Sequence, residues 1–155
     1  MDILELKIMT AGTSGERWAD NEVLKQIPVV QILINHTDLR TVIKPMELPF
    51  TLLEEGPDIA EEWAGDYGCI PAEELWHELK EISGQADLFV CPACGESGCW
   101  SVACTVIEED TSVIWRNFRH NHRNWSYPFA YQFSKENYLS ELEKLKSAKK
   151  IPPVV

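Results

Sequence analysis

Apolar residues in this chain recur with two spacings, alternating runs and helical stripes, and together they predict an α+β fold. Ile3, Leu4, Leu6, Ile8 and Met9 predict a first strand, followed by a loop at Gly12 to Gly15 and a short helix over residues 16–26. Residues 29–34 are rich in β-branched side chains and predict a second strand. Asn35 to Asp38 reads as the turn into residues 39–43, so the two runs predict a hairpin. Pro45, Pro49 and Pro57 then punctuate what reads as a long acidic connection.

Pro71 stands where a first helical turn can begin, with Leu75, Trp76, Leu79 and Ile82 on one face and Ser83-Gly84 at the end. Leu88, Phe89 and Val90 predict a short strand. Beyond it Trp100, Val102, Cys104 and Val106 alternate with Ser101, Ala103, Thr105 and Ile107. Residues 108–111 reverse the chain, and residues 113–118 return it as the second arm of a hairpin. Residues 119–126 read as polar loop and 129–133 as a strand. Ser134 is placed to cap a C-terminal helix carrying Tyr138, Leu139, Leu142 and Leu145. The expectation is one domain over residues 1–148, mainly antiparallel sheet with two or three helices, and a tail at 149–155. At 155 residues and 45% apolar, the chain has the size and composition of one such domain.

Charge changes the picture more than composition does. The net charge is −11, but residues 1–110 carry 22 acidic and 6 basic side chains, against 3 and 8 in residues 111–155. Between Glu47 and Asp87 twelve carboxylates meet a single base, Lys80. Such a surface repels nucleic acid and steers basic partners toward it. Within that run Trp63 and Tyr67 are aromatic anchors ringed by charge, a composition common at binding hot spots. The candidate partner-binding set is therefore Glu54, Glu55, Glu61, Glu62, Trp63, Asp66 and Tyr67. No run of ~18 apolar residues predicts a membrane span. The start lacks the basic and apolar regions of a secretory signal, and the expectation is a cytoplasmic protein.

Three of the five cysteines fall within ten residues, in Cys91-Pro92-Ala93-Cys94-Gly95-Glu96-Ser97-Gly98-Cys99-Trp100. A Cys-x2-Cys turn places two thiolates on one tetrahedral ion, and the glycines let the backbone bend toward the sulfurs. Counting on to Cys104 gives the spacing of a zinc knuckle. Cys104, however, belongs to an apolar strand pattern, and His120 or His122 can return from the following loop instead. The expected set is Cys91, Cys94, Cys99 and His122, a closed and therefore structural zinc site. A thioredoxin-like redox pair is disfavoured, because Gly95 to Gly98 is poor helix and gives a thiolate little support. Motifs of serine hydrolases, phosphate-binding loops, dinucleotide folds and zinc proteases are absent, and no enzymatic activity is expected.

The blocks 32–39, 94–100, 113–118, His122-Arg123 and Tyr127 through the last helix resemble a family of small uncharacterised bacterial proteins. Their shared feature is a Cys-x-Cys-Gly-x-x-Gly-Cys-Trp turn, where this chain has Cys-x2-Cys. The resemblance implies no particular activity. The favoured expectation is an acidic protein-binding module with a basic partner, of which a bacterial immunity or antitoxin-type protein facing a basic toxin is the most concrete form. The alternative is a zinc-knuckle nucleic-acid binder using Arg116, Arg119, Arg123 and Trp125.

Overall fold

The structure, a computed structural model, describes residues 1–148; the expected tail at 149–155 lies outside the described residues. The architecture is α+β, with antiparallel sheets and a C-terminal helix, as the periodicity predicts, but the described residues form five α-helices rather than the two or three expected. β1 (Leu4–Thr10) pairs along its whole length with β2 (Pro28–Ile34). Asn35 and His36 at φ 53° and 66° turn β2 onto β3 (Thr37–Asp38), the left-handed geometry that a two-residue hairpin matched to strand twist requires. β4 (Gly68–Pro71) extends the sheet from β2.

The second sheet begins with β5 (Gly84–Asp87), while β6 (Phe89–Val90) returns to pair with β4. The hairpin expected after Trp100 forms its centre, as β7 (Val102–Glu108) and β8 (Ser112–His120). β9 (Ser126–Tyr127) adds to β8, and β10 (Tyr131–Ser134) lies on the other end of it, giving the order β10-β8-β7-β5. A bulge between Ala103 and Thr105 faces Asn117 at φ 57°, and it re-aims the end of β8 so that His120 turns inward, 4% exposed.

Three expectations are corrected. Residues 16–26 hold no α-helix. The helix lies earlier, as α1 (Ala11–Ser14), capped by the Thr10 hydroxyl and ended by Gly15 at φ 76°, with one 3-10 turn at Leu24–Gln26. No apolar stripe spans the turns in between. Secondly, residues 39–43 are not a returning strand, and the acidic connection is not irregular. Asp38 accepts the Arg40 amide at 2.8 Å and starts α2 (Leu39–Glu55), whose buried stripe is Leu39, Ile43, Glu47 and Thr51. Pro45 and Pro49 are tolerated because both lie on the solvent side, where water can satisfy the carbonyls they orphan. Gly56 and Pro57 then separate α2 from α3 (Pro57–Trp63). Thirdly, Arg119 and His120 belong to β8 rather than to a loop, and Leu139 points outward.

α4 (Ala72–Leu79) buries Leu75 and Leu79 as expected. α5 (Lys135–Ala148) starts where Ser134 Oγ accepts the Asn137 amide at 3.1 Å. It also shields the open edge of β1: Asn137 Oδ1 and Glu141 Oε1 accept the Leu4 and Leu6 amides, each at 2.8 Å. One core joins both sheets through Leu6, Ile32, Phe89, Trp115, Phe118 and Tyr138, which also anchors α4 and α5. At roughly 25 cal/mol per Å² of apolar surface, this shared burial is the main force holding the sheets together.

Candidate metal centre and adjoining cleft

The chain leaves β6 and at once folds back on itself: the Gly95 amide donates to the Cys91 carbonyl at 2.8 Å, and the Cys91 and Cys99 amides donate to the Glu96 carbonyl at 3.1 and 3.3 Å. Gly95 sits at φ 78°. This knot brings the Cys91, Cys94 and Cys99 sulfurs within 4.8 Å of one another, an arrangement that can hold a metal ion. Sulfurs in a regular zinc tetrahedron stand ~3.8 Å apart, so closing on an ion requires shifts of only about an ångström.

The turn is fixed from three directions. Trp18 packs beneath Gly95. Glu74 of α4 accepts the Ser97 hydroxyl at 2.8 Å. Asn121 donates to the Ser97 carbonyl at 2.7 Å and accepts the Ser101 amide at 2.9 Å. The electrostatics favour a shared anion. Burial works to raise the Cys91 thiol, but the Cys94 and Ala93 amides, with the Cys94 and Cys99 thiols, outweigh it and hold Cys91 below the ordinary thiol value. Cys99, donating to Cys94 and Cys91, is pushed up to about 12. A cation can replace the protons these thiols share.

The expected fourth ligand does not join them. His122 Nε2 donates to the Gly98 carbonyl, and its amide donates to His120 Nδ1 at 3.0 Å. Among the described residues, the set within mutual reach consists of the three cysteines. The reason is the extension of β8 through His120 and the Asn121 clamp, which seat the His122 ring over the turn's backbone rather than its sulfurs. Cys104 is fully buried in β7, and Cys69 is buried in β4 with its thiol pushed up to about 11, chiefly by burial. His120 is neutral at pH 7, lowered to about 4 by burial first and then by His122 and Arg123. With Nδ1 accepting, its Nε2 carries the proton and has no hydrogen-bond partner among the described residues; the ring makes T-shaped contacts with Trp100 at 4.0 Å and Trp125 at 5.0 Å.

Cys91 and Cys99 also line a cleft of about 410 Å³ that runs toward α3. Three of the seven expected partner-binding residues are there: Glu62, Trp63 at 39% exposure, and Asp66. Trp100 and Arg123 line it as well, with the guanidinium 5.5 Å from the Trp100 ring. Asp66 pairs with Arg17 at 2.8 Å, whereas Glu62 has no hydrogen bond or ion pair among the described residues. Glu61 points elsewhere, 3.7 Å from Lys44. Glu54 and Glu55 are engaged within the chain: Glu54 accepts the Trp125 indole N–H, and Glu55 pairs with Arg123 at 3.3 Å.

Tyr67 corrects the expectation of an exposed anchor, being 3% exposed. Its hydroxyl and that of Tyr127 both donate to Glu47, and the Gly65 amide donates to the same carboxylate at 2.8 Å. Gly65 has to be glycine here, since a Cβ would stand 2.6 Å from Lys44 Cβ. Glu47 was missed because a carboxylate in an acidic run reads as solvated; its place in the i, i+4 stripe with Leu39 and Ile43 is the signal that could have found it. Burial raises its pKa, partly offset by the two tyrosines and the Gly65 amide.

Compared with protein-family models, curated proteins and solved structures, the chain finds no match in any of the three. Among the described residues, no helix is long and apolar enough to cross a membrane.

Proposed function

We propose that this chain is a non-enzymatic, acidic protein-binding module that engages a basic partner through the cleft between α3 and the cysteine turn, with zinc on Cys91, Cys94 and Cys99 keeping the turn in shape. The observation that carries this reading is the convergence of Glu62, Trp63 and Asp66 with Cys91, Cys99 and Trp100 on one concave surface. An exposed indole beside an unpaired carboxylate suits a lysine- or arginine-bearing surface, and the acidic excess of residues 1–110 steers such a surface inward. Zinc is the favoured ion because thiolates are soft donors and the knot gathers three of them within 4.8 Å of one another. The most concrete form of this function is neutralisation of a basic toxin by an immunity-type protein.

Nucleic-acid binding has less support. Trp125 is 2% exposed and cannot stack on a base, and Arg123 is paired with Glu54 and Glu55.

The test is co-expression with the product of the adjoining gene in a sensitive host. Growth arrest by that product, relieved by this chain but not by its Glu62→Lys, Trp63→Ala variant, supports the reading. Absence of arrest, or relief unaffected by the variant, overturns it.

A further inference from the structure

We infer that the fourth position on the metal is filled from outside the chain, by a thiolate entering the cleft beside Trp63 and Trp100. The inference rests on the metal reading above and extends it from a structural ion to a ligand-accepting one.

Three sulfurs leave one corner of a tetrahedron open, and among the described residues no further His, Cys, Asp or Glu ligand atom lies within reach of the three. His122 is held by the Gly98 carbonyl, and Cys69 and Cys104 are buried in their strands. A site with three protein ligands and a free corner is one that accepts an exchangeable ligand. The geometry directs that ligand: Cys91 and Cys99 line the cleft, and so an ion bound to them has one side facing it. The walls are mostly apolar, built by Trp63, Trp100, Pro92 and Ala93, which suits a polarizable sulfur better than a hydrated oxygen donor. About 410 Å³ admits either a small thiol or one cysteine side chain of a docked protein. On binding, the incoming thiol releases its proton to solvent and its sulfur lone pair forms the fourth bond; no electron changes hands.

The experiment uses the full chain loaded with cobalt(II), whose sulfur-to-metal charge-transfer band reports the number of bound thiolates. Titration with 2-mercaptoethanol is expected to raise that band by about one third, as four thiolates replace three, with the metal retained on desalting. Imidazole at equal concentration should leave the band unchanged, and His122→Ala should titrate with the same midpoint as the native chain. A short lysine-flanked cysteine peptide separates the two sources: a midpoint at least tenfold lower than that of 2-mercaptoethanol assigns the thiolate to a protein partner, and an equal midpoint assigns it to a small thiol. A native chain that holds cobalt but does not respond overturns the inference, as does a response that appears only after His122 is removed. Failure to bind cobalt at all overturns the metal reading itself, a separate outcome.

Discussion

Trp18 packs so tightly against Gly95 that a Cβ on the glycine would lie 2.9 Å from Trp18 Cγ. The contact ties the loop after α1 to the cysteine turn and holds the Gly95 backbone at φ 78°, a region that costs other residues about 1 kcal/mol or more. Gly95→Ala adds a clash to that strain. It is expected to lower stability by ~1–3 kcal/mol in urea unfolding and to weaken metal binding, because the Gly95 amide closes the turn on the Cys91 carbonyl. Unchanged stability in Gly95→Ala would mean that the indole does not constrain the turn.

The thiolate site makes a sharper prediction about which cysteines matter. Zinc content, measured on protein purified without chelator, is expected near one per chain, and Cys94→Ser or Cys99→Ser should abolish it, with a large fall in thermal stability. Cys104→Ala should lose packing in the β7 core but retain its zinc, because that sulfur is fully buried away from the turn. Zinc retained by Cys99→Ser, or lost from Cys104→Ala, would reassign the ligands.

Glu47 is a fully buried carboxylate satisfied by three donors. Glu47→Ala leaves the Tyr67 and Tyr127 hydroxyls and the Gly65 amide without that acceptor, and it should cost about 3–5 kcal/mol. Tyr67→Phe and Tyr127→Phe remove one donor each and should cost ~1–2 kcal/mol. If denaturant unfolding finds Glu47→Ala no worse than either tyrosine variant, the carboxylate is not the hub of this network.

This network also shows where the sequence was readable and where it was not. Local patterns were legible: the β7–β8 hairpin, the Ser134 cap and the α4 stripe depend on neighbours in the chain, so periodicity and capping chemistry reveal them. α2 was not, because Pro45 and Pro49 look like helix breakers until their solvent-facing side is known, and because two of its four buried positions are Glu47 and Thr51. The partners that justify burying Glu47 lie 20 and 80 residues away. The same limit applied to the site. The three cysteines sit within nine residues and were found from spacing alone, whereas the exclusion of His122 depends on the bulge in β8 and the Asn121 clamp, which no local pattern displays.

Asp87 gives a pH-dependent prediction. Its carboxyl is raised from 3.8 to about 6, mainly by burial and then by Glu78 and Glu74, with His122 and Arg119 opposing. A folded-state value above the unfolded one means that the associated stability is fully present below pH 3.8 and is lost as pH rises through about 6. Asp87→Asn removes this ionisation. The variant should therefore be more stable than the parent at pH 7, by about 1 kcal/mol once solvent screening of this half-exposed carboxyl is allowed for, and the advantage should vanish by about pH 4. Melting curves of both proteins across that range check the sign, and a pH-independent difference would place the effect in packing rather than charge.

The cleft makes separable kinetic predictions for any basic partner. Glu62 is unpaired among the described residues, so Glu62→Lys changes the field at the cleft without breaking an ion pair there, unlike Asp66→Lys, which also releases Arg17. Association at low salt should slow by roughly tenfold in Glu62→Lys, and the deficit should shrink as salt screens it. Trp63 supplies contact area rather than charge; Trp63→Ala should leave association nearly unchanged and speed dissociation, because interface truncations act mostly on residence time. Reversing Glu61 serves as the control, since it is 74% exposed and faces Lys44 rather than the cleft. Surface plasmon resonance at two ionic strengths separates these cases: equal effects from Glu61→Lys and Glu62→Lys would show that general charge, not the cleft, governs encounter.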